Sequence, residues 1–148
     1  MIVRRTALVD RSAGQMFDLI EAAENYPGFL PWCHSAQIVE RSETVVSADI
    51  GIRYRGLNIE LRTRNPKQRP TAMTIHLERG PFRRFEGEWR LTPLGADACK
   101  VDFSLDYEFE LGLMTRLAGP VFAHIANTMV DAFVQRAGKL PLPPAPAA

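Results

Sequence analysis

The chain has 148 residues, 46% of them hydrophobic and 24% charged, with 18 Lys and Arg against 17 Asp and Glu for a net charge of +1. That composition suits one globular domain with a sizeable core and excludes a largely disordered chain. Near-neutrality excludes a bulk field for DNA or anionic lipid, so any such partner would need a local patch.

Residues 2 to 9 fit a first strand, and "MIVRRTALVD" lacks the continuous apolar region and cleavage site of a signal peptide. No apolar run reaches the length of a membrane span, so the expected location is the cytoplasm. Ser12, with Gln15 three residues on, predicts a capped helix whose apolar face is Met16, Phe17 and Ile20. Pro27 should stop that helix, because the residue before a proline is pushed out of the helical region; a short helical turn is expected from Pro27 to Pro31.

From about residue 36 to 110 the hydrophobic period is two. Val46, Ala48, Ile50, Ile52 and Tyr54 share one face, opposite Ser47, Asp49, Gly51 and Arg53. The same alternation runs through "LNIELRT", "MTIHL", "FEGEWRL" and "VDFSLDYEFE", which predicts antiparallel strands with one dry and one wet face. Turns are expected at Gly56, Asn65 to Pro70, Gly80-Pro81 and Pro93 to Ala96. Helical spacing then returns, with Leu117, Val121, Ile125, Met129 and Phe133 recurring every four residues and Ala118, Phe122 and Ala126 widening the stripe. Pro120 is best tolerated in a first turn, which predicts a main helix from Pro120 to Ala137, a short turn before it at Leu113 to Ala118, and a stop at Gly138. A curved sheet with an apolar inner face needs a cover, and this helix suits it, giving an α+β grip over residues 1–140. The end "PLPPAPAA", residues 141–148, reads as a disordered Pro/Ala tail.

The inward faces carry few acids or bases; their polar members are Tyr54, Tyr107, the Trp89 indole and, if the phase holds, Thr63. General acid–base catalysis needs a positioned titratable group, so no catalytic residue is predicted. Cys33 and Cys99 form neither a CxxC nor a zinc spacing, and Cys33-His34, His76 and His124 read as surface or packed residues rather than as a nucleophilic pair or metal ligands. Arg62, Arg64, Lys67 and Arg69 gather around one expected turn, and Arg83 and Arg84 in the next loop. They read either as solvated hairpin ends or as contacts to RNA phosphates or lipid headgroups. In "NYPGFLPWCH", Phe29 and Trp32 either pack inward as a lid or face outward as a docking surface.

The segments "YPGFLPWC", "TRN", "GPFRRFEGEWRLTPLG", "ACKV" and "GPVFAHIANTMVDAFVQRA" resemble, in order, the coenzyme Q-binding START-like family of the polyketide cyclase/dehydrase superfamily, most of all its bacterial ribosome association toxin branch. The resemblance covers about residues 1 to 138. It implies the helix-grip: a curved seven-stranded antiparallel sheet around a long C-terminal helix, two short helices after strand 1, and a cavity between sheet and helix. It also implies non-catalytic binding of ubiquinone or a related isoprenoid in support of respiration, with no required cofactor, or association with the large ribosomal subunit that blocks subunit joining. A cyclase-type enzyme is disfavoured by the acid-poor inner face. Peripheral contact with the inner membrane would accompany the lipid reading. The expected lining of the cavity is Phe17, Tyr26, Phe29 and Trp32 from the first third of the chain, Ile50, Ile52, Tyr54, Met73, Ile75, Trp89, Phe103 and Tyr107 from the strands, and Val121, Ile125 and Met129 from the last helix.

Overall fold

The computed structural model describes residues 1–142. Strand β1 (Ile2–Val9) leads to helix α1 (Ala13–Glu21) and a 3-10 helix (Ala23–Gly28). Strands β2 (Cys33–Arg41), β3 (Val45–Tyr54), β4 (Leu57–Gln68), β5 (Ala72–Arg79), β6 (Phe82–Pro93) and β7 (Cys99–Phe109) follow, and helix α2 (Gly112–Ala137) comes last. Among the described residues the strands form one seven-stranded antiparallel sheet in the order β1-β7-β6-β5-β4-β3-β2. This is the α+β helix-grip that the alternation and the resemblance both imply.

The period of two is borne out most cleanly on β7, where Val101, Phe103, Leu105, Tyr107 and Phe109 are buried and Asp102, Ser104, Asp106 and Glu108 are half-buried between them. Irregular register within β2, at Arg62/Thr63 of β4 and at Phe82/Arg84 of β6 bends the sheet around α2. The β3–β4 connection is the two-residue turn Arg55-Gly56, with φ of 49° and 85°, the left-handed pair that matches the twist of a hairpin. One departure on β3 is Ser47, expected on the wet face but buried, its hydroxyl donating to the Thr63 carbonyl at 2.8 Å.

Helix α1 starts as the capping signal predicts: the Ser12 hydroxyl accepts from the Gln15 amide at 3.1 Å and the Gln15 side chain accepts from the Ser12 amide at 3.2 Å. It ends at Glu21, before Pro27. Proline instead lies inside the 3-10 helix, whose φ its ring already matches, so the second helical turn is Ala23–Gly28 rather than Pro27 to Pro31.

Two further boundaries move. Strand β4 continues to Gln68, through the expected turn, with Pro66 opposite Val45, the first residue of β3; Arg62, Arg64 and Lys67 are therefore strand residues, and β6 begins early enough to include Arg83 and Arg84. Helix α2 runs unbroken from Gly112, with Pro120 inside it. Proline removes only the bond to the Arg116 carbonyl, and both residues are exposed, so water can satisfy that oxygen.

The buried residues of α2 are Ala118, Phe122, Ile125, Ala126, Val130, Phe133 and Ala137, while Leu117 is 73% exposed. A step of four residues overshoots a 3.6-residue turn by about 40°, so four such steps carry Leu117 roughly 160° around the axis from Phe133. The every-fourth-residue stripe therefore cannot be one face. By length and mean hydropathy α2 is apolar enough to cross a membrane, although it contains no continuous apolar run of that length, and its buried face packs on the sheet and α1. Gly138 is its C-cap, as expected. The Pro141 carbonyl accepts from the Gln15 side chain at 2.9 Å; residues 143–148 of the expected tail lie outside the described residues.

Candidate functional site

The concave side of the sheet does not meet α2 flush. A cavity of about 100 Å³ remains, walled by every element except β1 and β2. The last turn of α1 and the 3-10 helix supply Ile20, Glu21, Ala23 and Tyr26, and Trp32 closes the same end from just before β2. Strand β3 contributes Val46, Ala48, Ile50 and Ile52, and β4 contributes Leu61, Thr63 and Asn65. Met73 and Ile75 come from β5, Phe85 and Trp89 from β6, Phe103 and Leu105 from β7, and Phe122, Ile125, Ala126 and Met129 from α2. Trp32 is only 7% exposed and lines the cavity, so its ring turns inward as a wall rather than outward.

Of the residues expected at this site, Tyr26, Trp32, Ile50, Ile52, Met73, Ile75, Trp89, Phe103, Ile125 and Met129 line the cavity. Phe17, Phe29, Tyr54, Tyr107 and Val121 do not. Phe17 lies under α1 beside an outer charged groove. Phe29 packs edge-on against Phe133, with centroids 5.3 Å apart, beneath the Arg136 guanidinium. Tyr54 stacks on His124 at the far end of β3. Tyr107 is held by Phe122, its centroid 4.6 Å away, and its hydroxyl donates to the Met1 sulfur. Val121 is one residue, and so about 100°, around the helix from the buried Phe122.

Sequence reasoning missed two polar residues of the wall. The composition of "NPKQRP" points Asn65 to a turn, although the alternation Leu57, Ile59, Leu61, Thr63 reaches it if simply continued. Glu21, four residues after Phe17 at the end of α1, carries no apolar signal that would place it on a wall. Its carboxylate accepts from Lys67 Nζ at 2.9 Å and from Arg41 Nε at 2.8 Å, and Arg41 also reaches Glu24 at 2.6 Å. Burial alone would raise the Glu21 pKa, but the hydrogen bonds from Lys67 and Arg41 outweigh it and hold the group below its ordinary 4.5. A carboxylate so held is ionised and a weak base. The Tyr26 hydroxyl donates to the Ile20 carbonyl, and burial pushes its pKa far up, so it too is committed.

The Glu21–Lys67 pair closes the charged end of the cavity, and Glu21→Gln is expected to destabilise the protein. Lys67 is 9% exposed at its side chain and would lose its carboxylate, at a cost of roughly 2–3 kcal/mol, less than for a fully buried pair because Glu21 is partly solvated. The sign with pH follows: the folded-state pKa of Glu21 is depressed, so its contribution is complete above about pH 4.5 and fades as pH falls through the lowered value. Urea denaturation from pH 7 to 3 should show the variant's deficit shrinking below pH 4.5; a deficit constant with pH would contradict this arrangement.

The other candidates separate. Cys33 is buried and His34 exposed; the Cys33 thiol donates to the Ser35 carbonyl, and burial pushes its pKa up to about 11, which leaves it a thiol at neutral pH. Both cysteines are free, and among the described residues no group of three or more His, Cys, Asp or Glu is placed to hold a metal. The basic residues are not a free patch. Arg62 makes a two-pronged pair with Asp49, at 2.7 and 2.9 Å, and Arg64 pairs with Glu40 at 2.7 Å. Arg69 pairs with Asp18, Arg83 with Glu108, and Arg84 with Asp106 and Glu108. Each guanidinium thus already faces a carboxylate, which weakens its pull on phosphate.

Known proteins match this chain over nearly its whole length. It is 38% identical over 138 residues, 93% of this chain and 96% of the relative, to the "Ribosome association toxin RatA" of Pseudomonas aeruginosa. A more distant relative, 26% identical over 87% of this chain and 54% of its own length, is "Coenzyme Q-binding protein COQ10 homolog B, mitochondrial" of Xenopus laevis. Among solved structures, the Zhui aromatase/cyclase from Streptomyces sp. R1128 superposes with a TM-score of 0.81 at 15% identity, covering 94% of each chain, a likeness of fold alone. The family model described as "Polyketide cyclase / dehydrase and lipid transport" matches residues 9–134. The chain therefore belongs to the polyketide cyclase/dehydrase and lipid transport family, in its START-like, helix-grip form.

Proposed function

We propose that this protein binds an apolar small molecule, ubiquinone or a related isoprenoid lipid, in the cavity between the sheet and α2. The observation that carries the reading is the cavity itself: a mainly aliphatic and aromatic wall, with Trp32 and Trp89 both turned inward and its one carboxylate already neutralised. Burying a five-carbon isoprenoid unit contributes about 4 kcal/mol at ~0.8 kcal/mol per CH2, so two or three units suffice for binding after ordering costs. At about 100 Å³ the cavity is smaller than the ~300–1,000 Å³ of drug-sized sites, so a ligand of this class must enlarge it. Met73 and Met129 on its walls are unbranched and can change rotamer to do so. The relative named as a coenzyme Q-binding protein supports the same choice.

In this reading the protein supports respiratory quinone function without turnover, in the cytoplasm and at the inner membrane, and needs no cofactor. The absence of turnover is supported by the ion-paired Glu21 and the committed Tyr26 hydroxyl, which leave these two groups unsuited to acid–base work. Organic extraction of protein purified without detergent, followed by mass spectrometry, should recover the lipid. Lipid-free protein that also takes up no added short-chain ubiquinone would refute the proposal.

A second reading, association with the ribosome through its large subunit, is favoured by the 38% identity to a protein named for ribosome association. Its docking surface would not be the paired arginines. The exposed Leu111, Leu113 and Leu117, beside the exposed Arg116, offer the better face. Sedimentation with isolated subunits at low salt tests it: co-sedimentation with the large subunit supports the reading, and unchanged subunit joining with no co-sedimentation rejects it.

A further inference from the structure

The inward face of β4 changes character along its length. Leu57, Ile59 and Leu61 are buried and apolar, Thr63 is a buried hydroxyl, Asn65 an amide, and Lys67 an ammonium held by Glu21. Three of these, Leu61, Thr63 and Asn65, touch the cavity, which therefore has an apolar end and a polar end. At the polar end the charges cancel: Glu21 and Glu24 face Arg41 and Lys67.

Asn65 stands out there. Its Nδ2 makes only a long contact of 3.8 Å to the Met73 sulfur, and its Oδ1 is buried with no hydrogen-bond partner among the described residues. A buried amide oxygen left unpaired is costly, and native proteins rarely keep one without a use. Sulfur is a weak acceptor, so the whole amide is available; turned by 180° it offers N–H where it now offers oxygen. It can meet either a hydroxyl or a carbonyl.

We propose that Asn65, assisted by Thr63, is the polar anchor of the cavity, hydrogen-bonding the uncharged hydroxyl or carbonyl head of an amphipathic ligand whose apolar body lies along Ile50, Ile52 and Ile125. This rests on the cavity being a ligand site and adds the ligand's class and its direction. A charged head is disfavoured because the surrounding four-residue charge cluster sums to zero and offers no net counter-charge.

The test uses three probes that differ only in the head: 4-pentylphenol, pentylbenzene and 4-pentylbenzoate, titrated against the full chain by tryptophan fluorescence. The intact protein should bind 4-pentylphenol about tenfold more tightly than pentylbenzene, and 4-pentylbenzoate more weakly than the phenol. In Asn65→Leu the ratio of 4-pentylphenol to pentylbenzene affinity should fall from about tenfold to about one, and the melting temperature should hold or rise, since a buried amide oxygen with no hydrogen-bond partner has been removed. Thr63→Val should reduce the preference severalfold and serves if the first variant misfolds. A tenfold preference that survives in both variants, or a benzoate bound more tightly than the phenol, overturns the assignment of the anchor. Failure of the intact protein to bind even pentylbenzene overturns the ligand site itself, and the anchor with it.

Discussion

Ile125→Trp should abolish uptake of an apolar ligand while leaving the protein folded. Ile125 is buried on the face of α2 that looks into the cavity, and the void in front of it is only about 100 Å³. An indole in place of the branched aliphatic side chain takes up much of that space. Overpacking a filled core costs about 1–3 kcal/mol, but here the extra atoms have somewhere to go, so the expected loss of stability is at the low end. The loss of binding is expected to be at least about a hundredfold, because the walls can no longer close on a ligand body. Val121→Trp is the matched control. Val121 is on the same helix but not on the cavity wall, so the same bulk there should leave uptake within about twofold of the intact protein, a change worth under ~0.5 kcal/mol. Quinone uptake measured by tryptophan quenching, with circular dichroism to verify folding, separates the two. Undiminished uptake in folded Ile125→Trp would place the ligand elsewhere.

The largest effect on stability is expected from Phe133→Ala, about 3–5 kcal/mol by urea denaturation. Phe133 is 1% exposed and meets three rings edge-on: Tyr26 at 5.4 Å, Phe29 at 5.3 Å and Trp89 at 5.2 Å between centroids. Edge-to-face pairs contribute roughly 0.5–1.5 kcal/mol beyond the area they bury, so truncation removes both burial and geometry. Phe133 also ties the 3-10 segment to β6 through α2. Its loss should therefore loosen Tyr26 and Phe29 as well as leave a hole, and amide exchange over residues 23–30 should accelerate more than over β7. A loss below about 1 kcal/mol would mean that these rings do not share one packed cluster.

The Ser12 capping signal, the β7 alternation and the Arg55-Gly56 turn were legible because each depends on residues close in the chain. Local rules also account for the two errors in α2. The cost of a proline in a helix interior argues against Pro120 there, but both Pro120 and Arg116, four residues back, are exposed, so water can satisfy the freed carbonyl. Counting in fours joins Leu117 to Phe133, and the 3.6-residue turn separates them. The same reasoning locates most of the aromatic wall and loses Asn65, since "NPKQRP" contains the residues of a turn while pairing with β3 as far as Pro66 and with β5 as far as Gln68 keeps the segment in the sheet.

Periodicity in the sequence by itself determined the α+β class, the strand run, the covering helix and, Ser47 apart, the dry side of the five alternating strands, since these follow from the two repeats of 2 and 3.6. What only the tertiary structure decided is which inward residues face a void and which face one another, and which charges meet. Phe29 and Tyr107 are as apolar and inward as Trp32 and Trp89, yet they spend their surface on Phe133 and Phe122. Glu21 and Lys67 are 46 residues apart and Arg69 and Asp18 are 51 apart, so the neutralisation of the basic strands, and the unpaired amide of Asn65 beside it, exist only once the sheet has curled around α2.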